Sequence, residues 1–258
     1  MKISWKVMGI LVGCIAVIGI ITAIAMFSAQ KSKNAVCSKV TIEIMDSADY
    51  HFVTVENLRQ LLKNKGIKML GEHMTNISLP TINQYILQNP YVARMECYKT
   101  PNHQVKIKVW QRHPVVEIMG KTNYYLDESG HKLPVGGERT ALVPIVSGNV
   151  NDSLVQNKFF PMISYIHQDP FWNAQIEQIY FQNDSIIELV PRLGDCIIRL
   201  GTIDRYQQKM DKLMVFYQQA LNHVGWNRYS YIDLQYKDRV ICTKKETTAE
   251  NVSAEIKH

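Results

Sequence analysis

The sequence predicts an α+β protein in three parts, and three observations predict it. Residues 7–27 form an uncharged apolar run, residues 39–116 show periodicities in the order strand, helix, helix, strand, strand, and residues 117–243 are mostly short strand patterns separated by turn residues. The expected architecture is one N-terminal transmembrane helix, a small β-α-α-β-β domain, and a mainly antiparallel β-domain with flanking helices.

The apolar run comes first. At about 1.5 Å per residue it makes a helix of about 30 Å, the thickness of the hydrocarbon core of a bilayer. A cleaved signal peptide is the competing reading, because Lys2 and Lys6 precede the run and Ala23-Ile24-Ala25 has the small-x-small form of a cleavage site. That site falls inside the run, and the run exceeds the roughly 7–15 residues of a signal sequence. A retained anchor is therefore expected, with residues 1–6 as a cytoplasmic tail and residues 28–38 as a juxtamembrane linker. Lys2 and Lys6 on one side and Lys31, Lys33 and Lys39 on the other leave the orientation undecided by charge.

In residues 39–45, Val40, Ile42 and Ile44 alternate with Thr41 and Glu43, a strand pattern. Thr54 is placed to cap a helix carrying Val55, Leu58, Leu61 and Leu62 at helical spacing, with Gly66 ending it. A second helix starts near Ser78, tolerates Pro80 in its first turn and points Ile82, Tyr85 and Ile86 inward. Asn89-Pro90 stops it. Strands over 91–98 and 104–110 flank the turn-rich Thr100-Pro101-Asn102-His103. Three strands covered on one face by two helices bury these apolar stripes, which places this domain at 39–116.

From Glu117 onward, strands are expected at 124–127, 131–134 and 143–146, a helix over 154–167 stopped by Asp169-Pro170, and strands at 175–181, 185–190 and 195–200. A helix over 204–223 carries Tyr206, Met210, Leu213, Met214, Tyr217 and Leu221 as one apolar stripe. Two last strands, 231–236 and 239–243, complete a β-domain at 117–243. Residues 244–258 hold almost no large apolar side chain and read as a disordered tail.

Composition narrows the function. The formal charge of +6 is modest, and no block of five or more basic residues marks a nucleic-acid tract. Cys14, Cys37, Cys97, Cys196 and Cys242 stand singly, without CxxC or zinc-like spacing; buried thiols are the plain reading, with oxidation of a pair left open. No nucleophile motif, paired carboxylates or phosphate loop is legible, and Asp127, Ser129 and His131 fall on a hairpin where turn chemistry accounts for Asp and Ser. The expectation is a non-enzymatic protein with no cofactor, no metal site, no nucleic acid and no small-molecule substrate. A membrane anchor displaying binding surfaces remains.

Several segments then coincide with a known family. Asn89-Pro90-Tyr91-Val92, followed by Val105-Lys106-Ile107-Lys108-Val109-Trp110-Gln111-Arg112-His113-Pro114-Val115, resembles the POTRA signature of FtsQ/DivIB cell-division proteins. Tyr124-Tyr125-Leu126-Asp127-Glu128-Ser129-Gly130, Val143-Pro144-Ile145-Val146-Ser147-Gly148, Leu193-Gly194-Asp195-Cys196-Ile197-Ile198-Arg199-Leu200-Gly201 and Tyr231-Ile232-Asp233-Leu234-Gln235-Tyr236 resemble further elements of that family in the same order.

The resemblance implies a single-pass inner-membrane protein with a cytoplasmic N-terminus and its bulk, a POTRA domain and a β-domain, in the periplasm. It implies a non-catalytic scaffold of septal cell-wall synthesis that recruits FtsB/DivIC-like and FtsL-like partners and other divisome components. It also implies docking by strand addition at Gln235, Tyr236, Arg239, Val240, Ile241 and Cys242. Gln235 departs from the family pattern, which often has a basic residue there. The alternatives are another POTRA-bearing membrane protein that handles secreted polypeptides, or a membrane-tethered cell-wall enzyme.

Overall fold

The computed structural model describes residues 17–22, 35–46, 51–136, 141–149, 151–183, 185–221, 225 and 228–245. Residues 17–22 are helical, with Val17, Ile18, Ile20 and Ile21 exposed. Among the described residues no helix is long and apolar enough to cross a membrane. Most of the expected span at 7–27 lies outside the described residues, as do the 1–6 tail and most of the 28–38 linker.

The chain divides into two compact units, residues 1–111 and 112–258. In the first, β1 (Lys39–Ile44), α1 (Val55–Asn64), α2 (Leu79–Leu87), β2 (Val92–Lys99) and β3 (Gln104–Gln111) follow in the expected order. The Thr54 hydroxyl accepts the Asn57 N–H, and the Ser78 hydroxyl accepts the Thr81 N–H, so both helices start where their caps dictate. The sheet order is β1-β3-β2, with β1 parallel and β2 antiparallel to the central β3. Val105, Ile107 and Val109 alternate into a core against Leu58, Leu62, Ile82 and Ile86, all at or near zero exposure. Burial of each is worth roughly 1.5–3 kcal/mol.

The second unit is built on one nine-stranded mixed sheet. It comprises β4 (Pro114–Ile118), β5 (Tyr124–Asp127), β6 (Lys132–Pro134), β7 (Ile145–Gly148), β8 (Ile176–Asn183), β9 (Ile186–Pro191), β10 (Ile197–Gly201), β11 (Tyr229–Asp233) and β12 (Ile241–Lys244). Their order is β12-β11-β10-β9-β8-β7-β4-β5-β6. The β4–β7, β7–β8 and β10–β11 pairings are parallel and the others antiparallel. The segments α3 (Asp152–Leu154), a π-helical stretch (Val155–Phe159), α4 (Phe160–Gln168), α5 (Pro170–Gln175) and α6 (Tyr206–Phe216), which continues as a second π-helical stretch (Tyr217–Leu221), supply the helical layer. Phe159, Met162, Ile166, Trp172, Met210 and Leu213 pack on Ile118, Ile179, Leu189, Ile198 and Ile232 of the sheet.

Three expectations change. The boundary falls at 111/112 rather than 116/117, because Pro114–Ile118 pairs with β5 and β7 of the second sheet. Asp169-Pro170 not only stops α4 but starts α5, since the Asp169 carboxylate accepts the Phe171 and Trp172 N–H groups and proline suits a first turn. The tail does not begin at Lys244, which belongs to β12; Lys245 donates its N–H to the Arg228 carbonyl and its ammonium to Asp195 at 2.8 Å. Residues 246–258 lie outside the described residues.

Cys37 and Cys196 are buried, Cys97 and Cys242 half-buried, and all four are free thiols.

Candidate functional site

The six residues expected to dock a partner fall on two kinds of structure. Ile241 and Cys242 lie in β12, while Gln235, Tyr236, Arg239 and Val240 lie in the β11–β12 connection, so the predicted strands 231–236 and 239–243 are each cut short on the side facing that connection. The reason is local hydrogen bonding. The Asp233 carboxylate accepts the Gln235 N–H at 2.9 Å, turning the chain out of the sheet, and Leu234 donates its N–H to the Arg199 carbonyl at 2.9 Å. From α6, the Lys212 ammonium donates to the carbonyls of Leu234, at 3.2 Å, and of Tyr236. These bonds hold the connection as a loop.

Gly201 fixes the path of the same loop. Its φ is +73°, and a Cβ there would lie 2.5 Å from the Gln235 Cγ. A side chain there would be strained by the backbone and would have to displace the Gln235 side chain.

Among the described residues β12 is the last strand of the sheet and pairs with β11 alone. Thr243 stands opposite Tyr231 and Ile241 opposite Asp233. The Lys245 N–H faces β11, so by the alternation of an antiparallel ladder the N–H groups of Thr243 and Ile241 face β11 too. Those of Cys242 and Lys244 then point to the open side. This is a sheet edge of the kind to which another strand can add.

The edge has a firm base. On the face away from the helices, the Glu188 carboxylate of β9 accepts from the Arg199 guanidinium of β10, at 3.1 and 3.3 Å, and from the Tyr231 hydroxyl of β11, at 2.7 Å. The guanidinium also lies 4.9 Å over the Tyr231 ring. Three adjacent strands are thereby tied in register up to the neighbour of β12.

Beside the edge runs a groove of about 530 Å³, walled by Lys212, Val215, Phe216 and Ala220 on one side and by Asp238, Arg239 and Val240 on the other. Val215, in the last turn of α6, is 49% exposed. The Arg239 guanidinium lies 5.9 Å over the ring of Tyr236, which is itself 48% exposed. Burial holds the Lys212 ammonium below the ordinary lysine range, with Asp238 opposing that shift. The sequence reading missed the helical wall. Its signal was present in Val215 and Phe216, apolar residues off the Met210–Leu213–Tyr217 stripe that α6 turns to the core.

At Asp127, the carboxylate accepts the N–H groups of Ser129 (2.9 Å) and His131 (2.8 Å) and the Arg112 guanidinium (2.7 Å). It builds the β5–β6 turn. Among the described residues no cluster of three or more His, Cys, Asp or Glu is placed to hold a metal ion.

Comparison with known proteins adds to this geometry. Residues 113–243 match the family model described as FtsQ/DivIB, C-terminal related, and residues 35–110 match that of a POTRA-like domain. The chain is similar to proteins named cell division protein FtsQ. That of Geotalea daltonii is 23% identical, over 74% of each chain. That of Syntrophotalea carbinolica is 23% identical, over 93% of this chain and 87% of its own. That of Rhodothermus marinus is 24% identical, over 71% and 72%.

Proposed function

Because this chain belongs to the FtsQ/DivIB C-terminal-related family, we propose that it is a membrane-anchored scaffold of the division machinery, without enzymatic activity, that recruits other division proteins by accepting a strand on β12. The relatives named as cell division proteins align over most of their length with most of this chain, which supports a role in division.

The observation that carries the mechanism is the open edge of β12 beside the apolar groove. A partner strand would take its main-chain hydrogen bonds from the outward groups of Cys242 and Lys244, which gives affinity without sequence preference. Specificity would come from the side chains that flank them. Ile241, 43% exposed, and Tyr236 offer apolar contact, Arg239 a cation for a carboxylate, and Val215 and Phe216 a floor for an apolar side chain or helical turn preceding the added strand. FtsB/DivIC-like and FtsL-like proteins are the proposed partners. Residues 7–27 would anchor the chain in the inner membrane with the N-terminus in the cytoplasm and both folded units in the periplasm; the absence of charge in that run and the exposed apolar helix at 17–22 support this reading.

The test is a titration of the detergent-solubilised full chain with the extracytoplasmic segment of the same organism's FtsB/DivIC-like protein, comparing the wild type with Tyr236→Ala and Lys244→Pro. Weaker binding by both variants, roughly tenfold for Lys244→Pro, with unchanged circular dichroism, is expected. Full binding by Lys244→Pro would remove strand addition from the mechanism, and no binding by the wild type would remove the partner.

A further inference from the structure

We propose that the first unit carries a second docking surface, directed at anionic lipid headgroups, with Val36 and Leu70 at its apolar centre and Arg59, Lys63 and Lys68 around it. It rests on reading residues 7–27 as the membrane span.

Backbone pairing puts the patch at the root of the tether. The Met74 N–H donates to the Ala35 carbonyl at 2.8 Å, the Cys37 N–H to Glu72 at 2.8 Å, and the Gly71 N–H to the Cys37 carbonyl at 2.9 Å. Residues 35–37 thus run antiparallel to 71–74, and the chain enters the unit beside the loop that carries Leu70. Eight peptide steps separate Phe27 from Ala35. Fully extended they span at most about 29 Å, so the loop is confined to the neighbourhood of the bilayer surface whatever path the linker takes.

The side chains at that point suit a membrane interface. Leu70, on the loop whose turn uses Gly71 at φ +77°, is 61% exposed, and Val36 on the entering segment is 47% exposed, while Met69 beside Leu70 is buried. Leu70 lines a cavity of about 290 Å³ together with Met69, Val40 and Ile42 of β1, Leu62 and Lys63 of α1, and Ile67. Arg59 also lines it, and Arg59, Lys63 and Lys68 are all exposed.

The acids nearby offset these cations only partly. Glu72 is drawn down in pKa first by the Asn76 amide, which it accepts at 2.9 Å, with Lys68 a smaller influence. Glu56 lies one turn before Arg59 on α1. Aliphatic stems along an apolar floor with ammonium and guanidinium heads around it favour a surface that is apolar below and anionic above. Each engaged cation strengthens attraction to such a surface roughly fivefold. Docking here would hold the unit against the bilayer and shorten the effective reach of the tether.

The experiment reconstitutes the full chain in nanodiscs of phosphatidylcholine alone or mixed with phosphatidylglycerol, and in detergent micelles, and follows amide hydrogen exchange over residues 67–72 with residues 79–87 as internal reference. Slower exchange at 67–72 in anionic discs alone is expected, reversed by added salt and by the exposed double substitution Lys68→Ser/Leu70→Ser, with the reference unchanged. Equal exchange in all three environments overturns the proposal. Equal slowing in micelles also overturns it, because the chain itself would then cover the loop, as does slowing that requires an added division protein. Recovery of the chain with the discs reads the anchor separately, so a chain that fails to enter discs overturns the membrane reading, while one that enters without protection overturns only the docking.

Discussion

The two ends of the nine-stranded sheet are finished in different ways. β6 is three residues long and ends in Pro134, which has no N–H to offer; Lys132 lies 4.1 Å over the Tyr124 ring and 2.9 Å from Asp152. A short strand with proline and an engaged lysine is a poor template for pairing. β12 at the other end contains no proline, exposes Ile241, and has an apolar groove beside it. Any sheet that is not closed must end twice, and here one end is blunted while the other is left available. Among the described residues β12 is the open end, and the contrast supports the docking proposed there.

Substitutions break or sharpen that contrast in graded ways. Thr243→Pro removes an N–H that faces β11, so it should cost about 2–4 kcal/mol of stability in chemical denaturation and abolish partner binding with it. Asp127→Asn, at the blunted end, keeps the turn acceptor but loses the charge paired with Arg112, and should cost about 2 kcal/mol with partner affinity unchanged.

The same carboxylate predicts an acid sensitivity. Burial pushes its pKa up, but the His131 N–H, the Arg112 guanidinium and the Ser129 N–H together bring it below the usual value. Its contribution is therefore complete above about pH 4, the unfolded carboxylate value, and lost as pH falls through the lower folded value. Urea midpoints measured downward from pH 5 should fall further for the wild type than for Asp127→Asn. Equal falls would assign the acid loss to another group.

Lys244→Pro removes only an outward N–H. Affinity should drop roughly tenfold, while stability shifts by no more than about 0.5 kcal/mol. The smallest effect is expected from Pro134→Thr, which restores an N–H at the blunted edge. Stability should move by less than about 0.5 kcal/mol, with a detectable rise in self-association by sedimentation. No rise would show that strand length rather than proline closes that end.

The first unit was nearly all legible in the sequence, because its signals are local. Thr54 and Ser78 cap the helices they precede, and Val105, Ile107 and Val109 alternate into the core as their period requires. The second unit was legible in its strands and less so where distant groups decide. Nothing near residues 234–240 announces that Lys212, more than twenty positions away, will hold the carbonyls of Leu234 and Tyr236 and keep the segment out of the sheet. Residues 114–116 read as part of the first domain, because nothing local shows that Pro114–Ile118 pairs with β5 and β7. Of the proposed docking residues, Ile241 and Cys242 lie on the edge strand, whereas Tyr236, Arg239 and Val240 border it from a loop, an arrangement that period-two alternation does not reveal.

The thiols bear on the chemical durability of such an edge. Burial raises the Cys97 and Cys196 thiols to about 11 and moves Cys242 in the same direction. Near neutral pH the first two exist as thiolate in only about one molecule in ten thousand, and thiolate is the form that peroxide and disulfide exchange attack. Burial favours the protonated, less reactive form at Cys242 too, so the edge strand carries a thiol that is harder to ionise than a free one.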